Sequence, residues 1–231
     1  MKKIFIFVIL ILCFIIFNNN SGFNDDYYIN ILNKFTYYDE NNNKIDHFKE
    51  EIYEQKDVIN YIDKNDIVLE LGGRYGTVSV TVSYVQKNSG NLVVVEPDKT
   101  IINALKNNKL RNNANFTILN KYISNETKKI IYDSYGTRTV KEDFGDTDNK
   151  ITYDEFKKQF PLKFNVLIAD CEGCFCDFIN IMGDDINNYN KILLEADQKN
   201  ICEYNKVLEK LQKIGFRIVK NEDDVRYVLL K

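Results

Sequence analysis

The sequence predicts an α/β fold, a doubly wound and mostly parallel sheet covered by helices on both faces. Three observations carry that expectation. Strand-like and helix-like segments alternate from residue 66 to the end of the chain. The central strand candidates are continuous apolar runs, as strands buried on both faces require. A glycine-rich turn directly follows the first of them, and such sheets bind ligands just beyond the carboxyl ends of their strands.

The chain opens outside this pattern. Met1-Lys2-Lys3 precedes fourteen apolar residues, 4–17, and then the polar stretch 18–22. A positive start, a short apolar run and a polar exit describe a signal peptide or signal anchor over residues 1–22. As a helix the run reaches about 21 Å against a hydrocarbon core of about 30 Å, which favours cleavage. The Asn-rich exit lacks a small-x-small cleavage site, which favours a retained anchor. Lys2 and Lys3 would stay cytoplasmic, so the chain is expected on a membrane through this single span, its domain luminal or extracellular, or secreted. Residues 23–54 read as a polar stalk and cover helix, with 44–53 helical, and 55–231 as the main domain.

The main domain begins with a short helix over 57–62, which Asp57 can cap. Residues 66–71 are a short apolar run ended by glycines, hence a buried strand. Residues 77–85 fit a helix whose β-branched members need packing support. A second strand spans 91–97, and Asp98 caps a helix through 107. Residues 116–123 read as a third strand and 129–132 as a short fourth. Another buried strand over 163–170 leads into a helical stretch over 173–182. Residues 191–195 form the next strand, and 203–214 an amphipathic helix stopped by Gly215. Residues 216–220 and 225–230 close as a hairpin. Apolar residues at 44% and charged residues at 28% fit a globular domain. The net charge of −3 leaves no basic excess to neutralise a phosphate backbone, so no nucleic-acid partner is expected.

The turn reads Glu70-Leu71-Gly72-Gly73-Arg74-Tyr75-Gly76, and Glu96 ends the second strand, 24 residues beyond Gly72. Glycines let backbone approach a ligand closely, and a carboxylate at the second strand's end can accept hydrogen bonds from both ribose hydroxyls. Together they make a nucleoside-ligand site. A dinucleotide fold wants G-x-G-x-x-G, and a carboxylate at Glu70 would repel a pyrophosphate. It suits a cationic ligand with an ammonium group, such as S-adenosylmethionine.

With the Glu96-Pro97-Asp98 strand end and the block Leu167-Ile-Ala-Asp-Cys-Glu-Gly173, this turn resembles the FkbM-type branch of class I S-adenosylmethionine-dependent methyltransferases. The family's third block usually reads Lys-Ile-Asp-Val-Glu-Gly-Ala-Glu. Asp170, Glu172 and Gly173 match it, while Ile168 replaces the lysine and Cys174-Phe175 the final Ala-Glu. Residues 151–155, 192–195 and 208–216 resemble flanking family segments. The resemblance implies a seven-stranded sheet with an antiparallel final hairpin. It implies that Glu70 and the turn through Gly72, Gly73, Tyr75, Gly76 and Thr77 hold the methionine part of the cofactor. Glu96 would hold the ribose, Pro97 would belong to the cofactor-binding residues, and Asp98 would sit near the adenine rim. Asp170 would lie near the reacting methyl group. Asp170 or Glu172 could take the acceptor's proton; alternatively Asp170 orients the cofactor and Glu172 only favours a helix dipole.

His47, the only histidine, reads as a surface residue. Cys171, Cys174, Cys176 and distant Cys202 could suggest zinc, but a structural site wants two ligand pairs in knuckles. Cys171 and Cys174 stand where the family has small apolar residues, so they are read as packing and no metal is expected. Arg138, in the polar loop 134–150, could pair with an anionic acceptor, though a solvated charge is the plainer reading. The expected activity is methyl transfer to the oxygen of a hydroxyl acceptor, a glycan or small molecule. The alternatives are a catalytically silent, membrane-tethered binding module of the same fold and a nicotinamide-dependent oxidoreductase.

Overall fold

The computed structural model describes residues 25–132, 137–142, 145 and 147–231. The chain divides into two units, one ending at Thr36 and one spanning Tyr37–Lys231. In the first, residues 25–32 are helical (α1), and the turn after them is closed by the Asn33 N–H donating to the Ile29 carbonyl at 2.9 Å. The expected signal segment 1–22 lies outside the described residues. The expectation of a membrane location through an apolar span is corrected: among the described residues no helix is long and apolar enough to cross a membrane. The physical reason is length, since helices of ten residues such as Tyr204–Lys213 rise about 15 Å, half a hydrocarbon core.

The second unit opens with a small antiparallel pair, β1 (Tyr37–Tyr38) and β2 (Lys44–Ile45), followed by α2 (His47–Glu50) and α3 (Ile52–Tyr61). The single helix expected over 44–53 is therefore broken. Glu51, at φ −137°, ends one helix and caps the next. The sheet follows: β3 (Val68–Leu71), α4 (Thr77–Val85), β4 (Leu92–Val95), α5 (Ile102–Arg111) and β5 (Thr117–Leu119). The third strand was expected to continue to residue 123. Instead the chain leaves β4 after Leu119, and β6 (Tyr122–Ile123) pairs with β9 (Lys150–Ile151). Between them lies the hairpin of β7 (Lys128–Tyr132) and β8 (Thr137–Lys141). The capped helix α6 (Tyr153–Gln159) leads to β10 (Val166–Ala169), α7 (Phe175–Met182) and β11 (Lys191–Glu195). Helix α8 (Tyr204–Lys213), β12 (Arg217–Glu222) and β13 (Arg226–Leu230) complete the chain.

The large sheet has seven strands in the order β12-β13-β11-β10-β3-β4-β5. Strands β11, β10, β3, β4 and β5 run parallel, and β12 and β13 form the expected antiparallel hairpin. Its turn is built on Asp223 and Asp224, both at φ 54°, a conformation Asp tolerates better than most residues. From β3 the chain moves outward to β4 and β5, then returns to β10 on the other side. The switch point is thus between β3 and β10, where a crevice must open at the strands' carboxyl ends.

Alternation along the strands sorts the two faces. Leu69, Leu71, Val93, Val95, Leu167, Ala169, Ile192 and Leu194 join one core with Phe156, Phe178 and Leu211 of α6, α7 and α8. Glu70 pairs with Val94 in register, so Glu70, Val94 and Glu96 fall on the opposite face. Helix α4 packs there against α3, buried all along 77–83, and its hydroxyls are satisfied internally: Ser79 donates to Glu70 at 2.9 Å and Thr81 to the Thr77 carbonyl at 2.9 Å. His47 is buried rather than on the surface, with Nδ1 3.2 Å from Gln55 Oε1.

Candidate functional site

The site is built at the switch point. Strand β3 ends at Leu71 because Gly72 turns at φ +92°, and its N–H donates to the Val95 carbonyl at 2.9 Å. Beside it the Asp170 N–H, just past β10, donates to the Leu71 carbonyl at 3.0 Å. The approach is so close that a Cβ on Gly72 would lie 1.6 Å from the Asp170 carbonyl oxygen. A Cβ on Gly73 would lie 2.3 Å from Val94 Cγ1. Glycine is required at the first position by conformation and contact alike, and at the second by contact.

Above this turn lies a cavity of about 270 Å³. Of the residues expected at the site, it brings together Glu70, Gly72, Gly73, Glu96, Pro97, Asp170 and Glu172. Tyr75, Gly76, Thr77 and Asp98 lie outside its lining. The Tyr75 hydroxyl donates to Glu40 at 2.8 Å, and Gly76 caps α4 in the left-handed region. The Thr77 hydroxyl bonds to Glu51 Oε2. Asp98 Oδ1 accepts from the Thr100 N–H at 2.7 Å and hydroxyl at 2.6 Å, ordering the entry to α5.

The lining is acidic, with ten carboxylates against the cations Arg74, Lys128 and Arg226. Glu70 is 1% exposed; Oε1 accepts from Ser79, and Oε2 has no hydrogen-bond partner among the described residues. Burial first, then the charges of Glu51 and Glu96, hold its pKa well above the ordinary carboxylate value despite the Ser79 bond. Glu96 accepts from the Arg74 N–H through Oε2 and the Asp98 N–H through Oε1, each at 2.7 Å. Burial still pushes its pKa up to about 7. Asp170 is raised well above its usual value by burial and by the charges of Glu195 and Glu51.

Sequence reasoning missed six of these ten carboxylates. Glu195 ends β11 and Asp197 lies just past it, and the strand-end rule could have found them. Burial raises both, Asp197 to about 7. Glu51 and Glu54 come from α3 and its cap, ahead of the sheet, and no motif marks them. Glu54 is raised to about 7 by burial and by Glu195, and Arg226 lies 3.6 Å from its Oε1. Lys128 pairs with Asp177 at 2.7 Å. Arg138 Nη1 donates to Gln198 at 3.4 Å. Cys171 and Cys174, read as packing, are bonded to each other, and Cys176 is bonded to Cys202.

The residues fit a cationic nucleoside ligand such as S-adenosylmethionine. The orphaned Glu70 oxygen is an acceptor waiting for a donor, the glycine turn permits close approach, and Glu96 stands at the neighbouring strand end.

No protein-family model matches the chain, and no curated protein does. Solved structures similar to it include a precorrin-6y C5,15-methyltransferase from Geobacter metallireducens GS-15, 13% identical, covering 77% of this chain and 88% of that one, with a TM-score of 0.46. An rRNA methylase from Streptococcus thermophilus is 8% identical over 78% of this chain and 94% of that one, TM-score 0.44. A ribosomal protein L11 methylase from Lactobacillus delbrueckii subsp. bulgaricus is 10% identical over 77% and 74%, TM-score 0.42. All three are methyltransferases by name, but at such identities and TM-scores the function must be read from this chain's own residues.

Proposed function

We propose that this protein is an S-adenosylmethionine-dependent methyltransferase of the FkbM type that methylates the oxygen of a hydroxyl acceptor, a small molecule or glycan. The observation that carries the reading is the buried, unpartnered Glu70 oxygen in a cavity it shares with Glu96 at the switch point. A buried carboxylate oxygen left without a donor costs roughly 1–3 kcal/mol, a cost that a ligand ammonium would remove. The same carboxylate disfavours a pyrophosphate, and so the nicotinamide alternative.

When bound, S-adenosylmethionine supplies a methyl group on a positively charged sulfur, open to in-line displacement. Glu70 would hold the ammonium, and the backbone of Gly72 and Gly73 would form the floor. The Glu96 oxygens each carry one backbone N–H bond and keep a second lone pair for a ribose hydroxyl. Asp170, beside the glycine turn, would take the acceptor's proton once a bound cation has ionised it, since burial holds its pKa well above the usual value. Glu172 is held aside, its Oε2 accepting from Gln198 Nε2 at 3.0 Å.

Calorimetry tests the reading. The full chain is expected to bind S-adenosylmethionine and S-adenosylhomocysteine and to give no heat with NAD. Absence of binding to both sulfur nucleosides would remove the proposal. Binding without methyl transfer to any of a panel of hydroxylated acceptors would reduce the protein to a binding module.

A further inference from the structure

The two disulfides differ in setting. Cys171 and Cys174 are half-buried and line the cavity at the start of α7, with Cys174 as its N-cap. Cys176 is half-buried too but lies outside the cavity lining, and its partner Cys202 is 1% exposed within the core. The Cys171–Cys174 bond closes a turn in which Glu172 and Gly173 both have positive φ, 53° and 86°. Glutamate holds such a conformation only where its surroundings impose it. One side of the turn rests on the glycine loop: a Cβ on Gly72 would lie 3.4 Å from Cys171 Cα. On the other side the Gly173 N–H donates to Asp197 Oδ1 at 3.1 Å, and Gln198 holds Glu172.

We propose that Cys171–Cys174 is a thiol–disulfide exchange site, reduced by a small neutral dithiol that enters the cavity, and that its state sets how the Glu172 turn packs on the Gly72 turn. Access from the cavity favours this bond, because both of its cysteines line it whereas neither Cys176 nor Cys202 does, and exchange needs a thiolate to reach a sulfur. Asp170, Glu172 and Asp197 line the same cavity, and buried carboxyls there disfavour a reductant that brings carboxylates of its own, which leaves a dithiol without other charged groups as the class of reductant. In the exchange, one dithiol sulfur attacks a cysteine sulfur, breaks the disulfide and forms a mixed disulfide. The second dithiol sulfur then displaces that cysteine. Two electrons and two protons pass to the cysteine pair, and the dithiol leaves as a cyclic disulfide. Without the cross-link, the positive-φ turn keeps the Cys174 N–H bond to the Cys171 carbonyl at 3.2 Å and the bonds to Asp197 and Gln198, but loses its covalent closure and relaxes.

The test uses the full chain with dithiothreitol, quenched at intervals with iodoacetamide and read by peptide mass spectrometry. Cys171 and Cys174 are expected to be alkylated at least about tenfold faster than Cys176 and Cys202, with anionic glutathione slower than dithiothreitol at equal thiol concentration. In the selectively reduced protein, amide hydrogen exchange should quicken at residues 170–174 and 72–74. The double variant Cys171→Ser/Cys174→Ser should show the same raised exchange without reductant. If it does not fold, the reduced wild-type chain carries the measurement. Equal alkylation rates, resistance of the pair in the folded chain, glutathione as fast as dithiothreitol, or unchanged exchange in both turns would overturn the proposal. No readout involves a cofactor, so its failure and that of the methyltransferase reading are separable.

Discussion

Glu96 and Glu70 face the same cavity but carry different loads, and substitution should separate them. Glu96 ties the Arg74 and Asp98 N–H groups together and has lone pairs left for a ribose. Glu96→Ala is expected to weaken S-adenosylmethionine binding by about 1–3 kcal/mol, from the loss of charge-assisted hydrogen bonds. Unchanged affinity in calorimetry would remove the ribose assignment. Glu70 is buried with one oxygen unpartnered among the described residues, so ionising it is costly in the ligand-free protein. Glu70→Gln keeps the shape and removes that cost. The variant should therefore be as stable as wild type in urea, or about 1 kcal/mol more so, while its affinity falls about tenfold or more. Loss of stability and affinity together would make Glu70 a framework residue rather than a ligand partner.

The glycine turn is the element on which the site depends, and its two glycines should fail differently. Gly72→Ala meets both a left-handed φ and the Asp170 backbone, and should cost about 3 kcal/mol or more. Gly73→Ala meets the Val94 side chain, and should cost about 1–3 kcal/mol, partly recovered by Val94→Ala. Urea denaturation reads both, and a Gly72→Ala protein of wild-type stability would mean that the two turns do not touch. That this turn matters was legible in the sequence, because it directly follows a continuous apolar run. The five parallel strands were legible for the same reason: burial on both faces leaves uninterrupted runs of Leu, Ile and Val. Other parts had no such signature. Residues 116–123 read as one strand because nothing local marks the point where the chain leaves β4; tertiary pairing of Tyr122 with Lys150 decides it. The break at Glu51 that brings Glu51 and Glu54 to the cavity is likewise set by packing, as is the burial of His47 against Gln55. Asp98, expected at the adenine rim, orders the entry to α5 through Oδ1.

Across the whole molecule, buried groups pull stability in opposite directions with pH. Glu96 and Glu54 are raised from 4.5 to about 7, and Asp197 from 3.8 to about 7, with burial the first cause in each. Between those values the folded chain keeps protons that the unfolded chain has released, so stability falls as pH rises towards 7. His47 acts in reverse. Burial lowers its pKa below 6.5, the unfolded chain binds the extra proton, and stability is lost as pH falls below 6.5. Carboxylates with lowered pKa, such as Glu222, titrate below 4.5 and add no slope above it. These three carboxyls, with Glu70, Asp170 and Glu195 raised in the same direction, outweigh one imidazole and predict a ligand-free protein that melts at a higher temperature at pH 5.5 than at pH 7.5. Glu96, 3% exposed, contributes on the order of 2–3 kcal/mol over its full window, and the more solvated Glu54 and Asp197 contribute less. A cationic ligand prefers these groups ionised, so its affinity should rise over the same interval, by about tenfold, and its presence should flatten or invert the melting profile. Thermal melts at pH 5.5, 6.5 and 7.5, with and without S-adenosylhomocysteine, measure both slopes. That ligand lacks the sulfonium charge but keeps the ammonium, so an inverted profile with it would place the pH dependence on the Glu70 end of the cavity. A ligand-free protein that is most stable at pH 7.5 would mean that the carboxylates are already ionised and solvated, and that the cavity has no unmet demand for a cation.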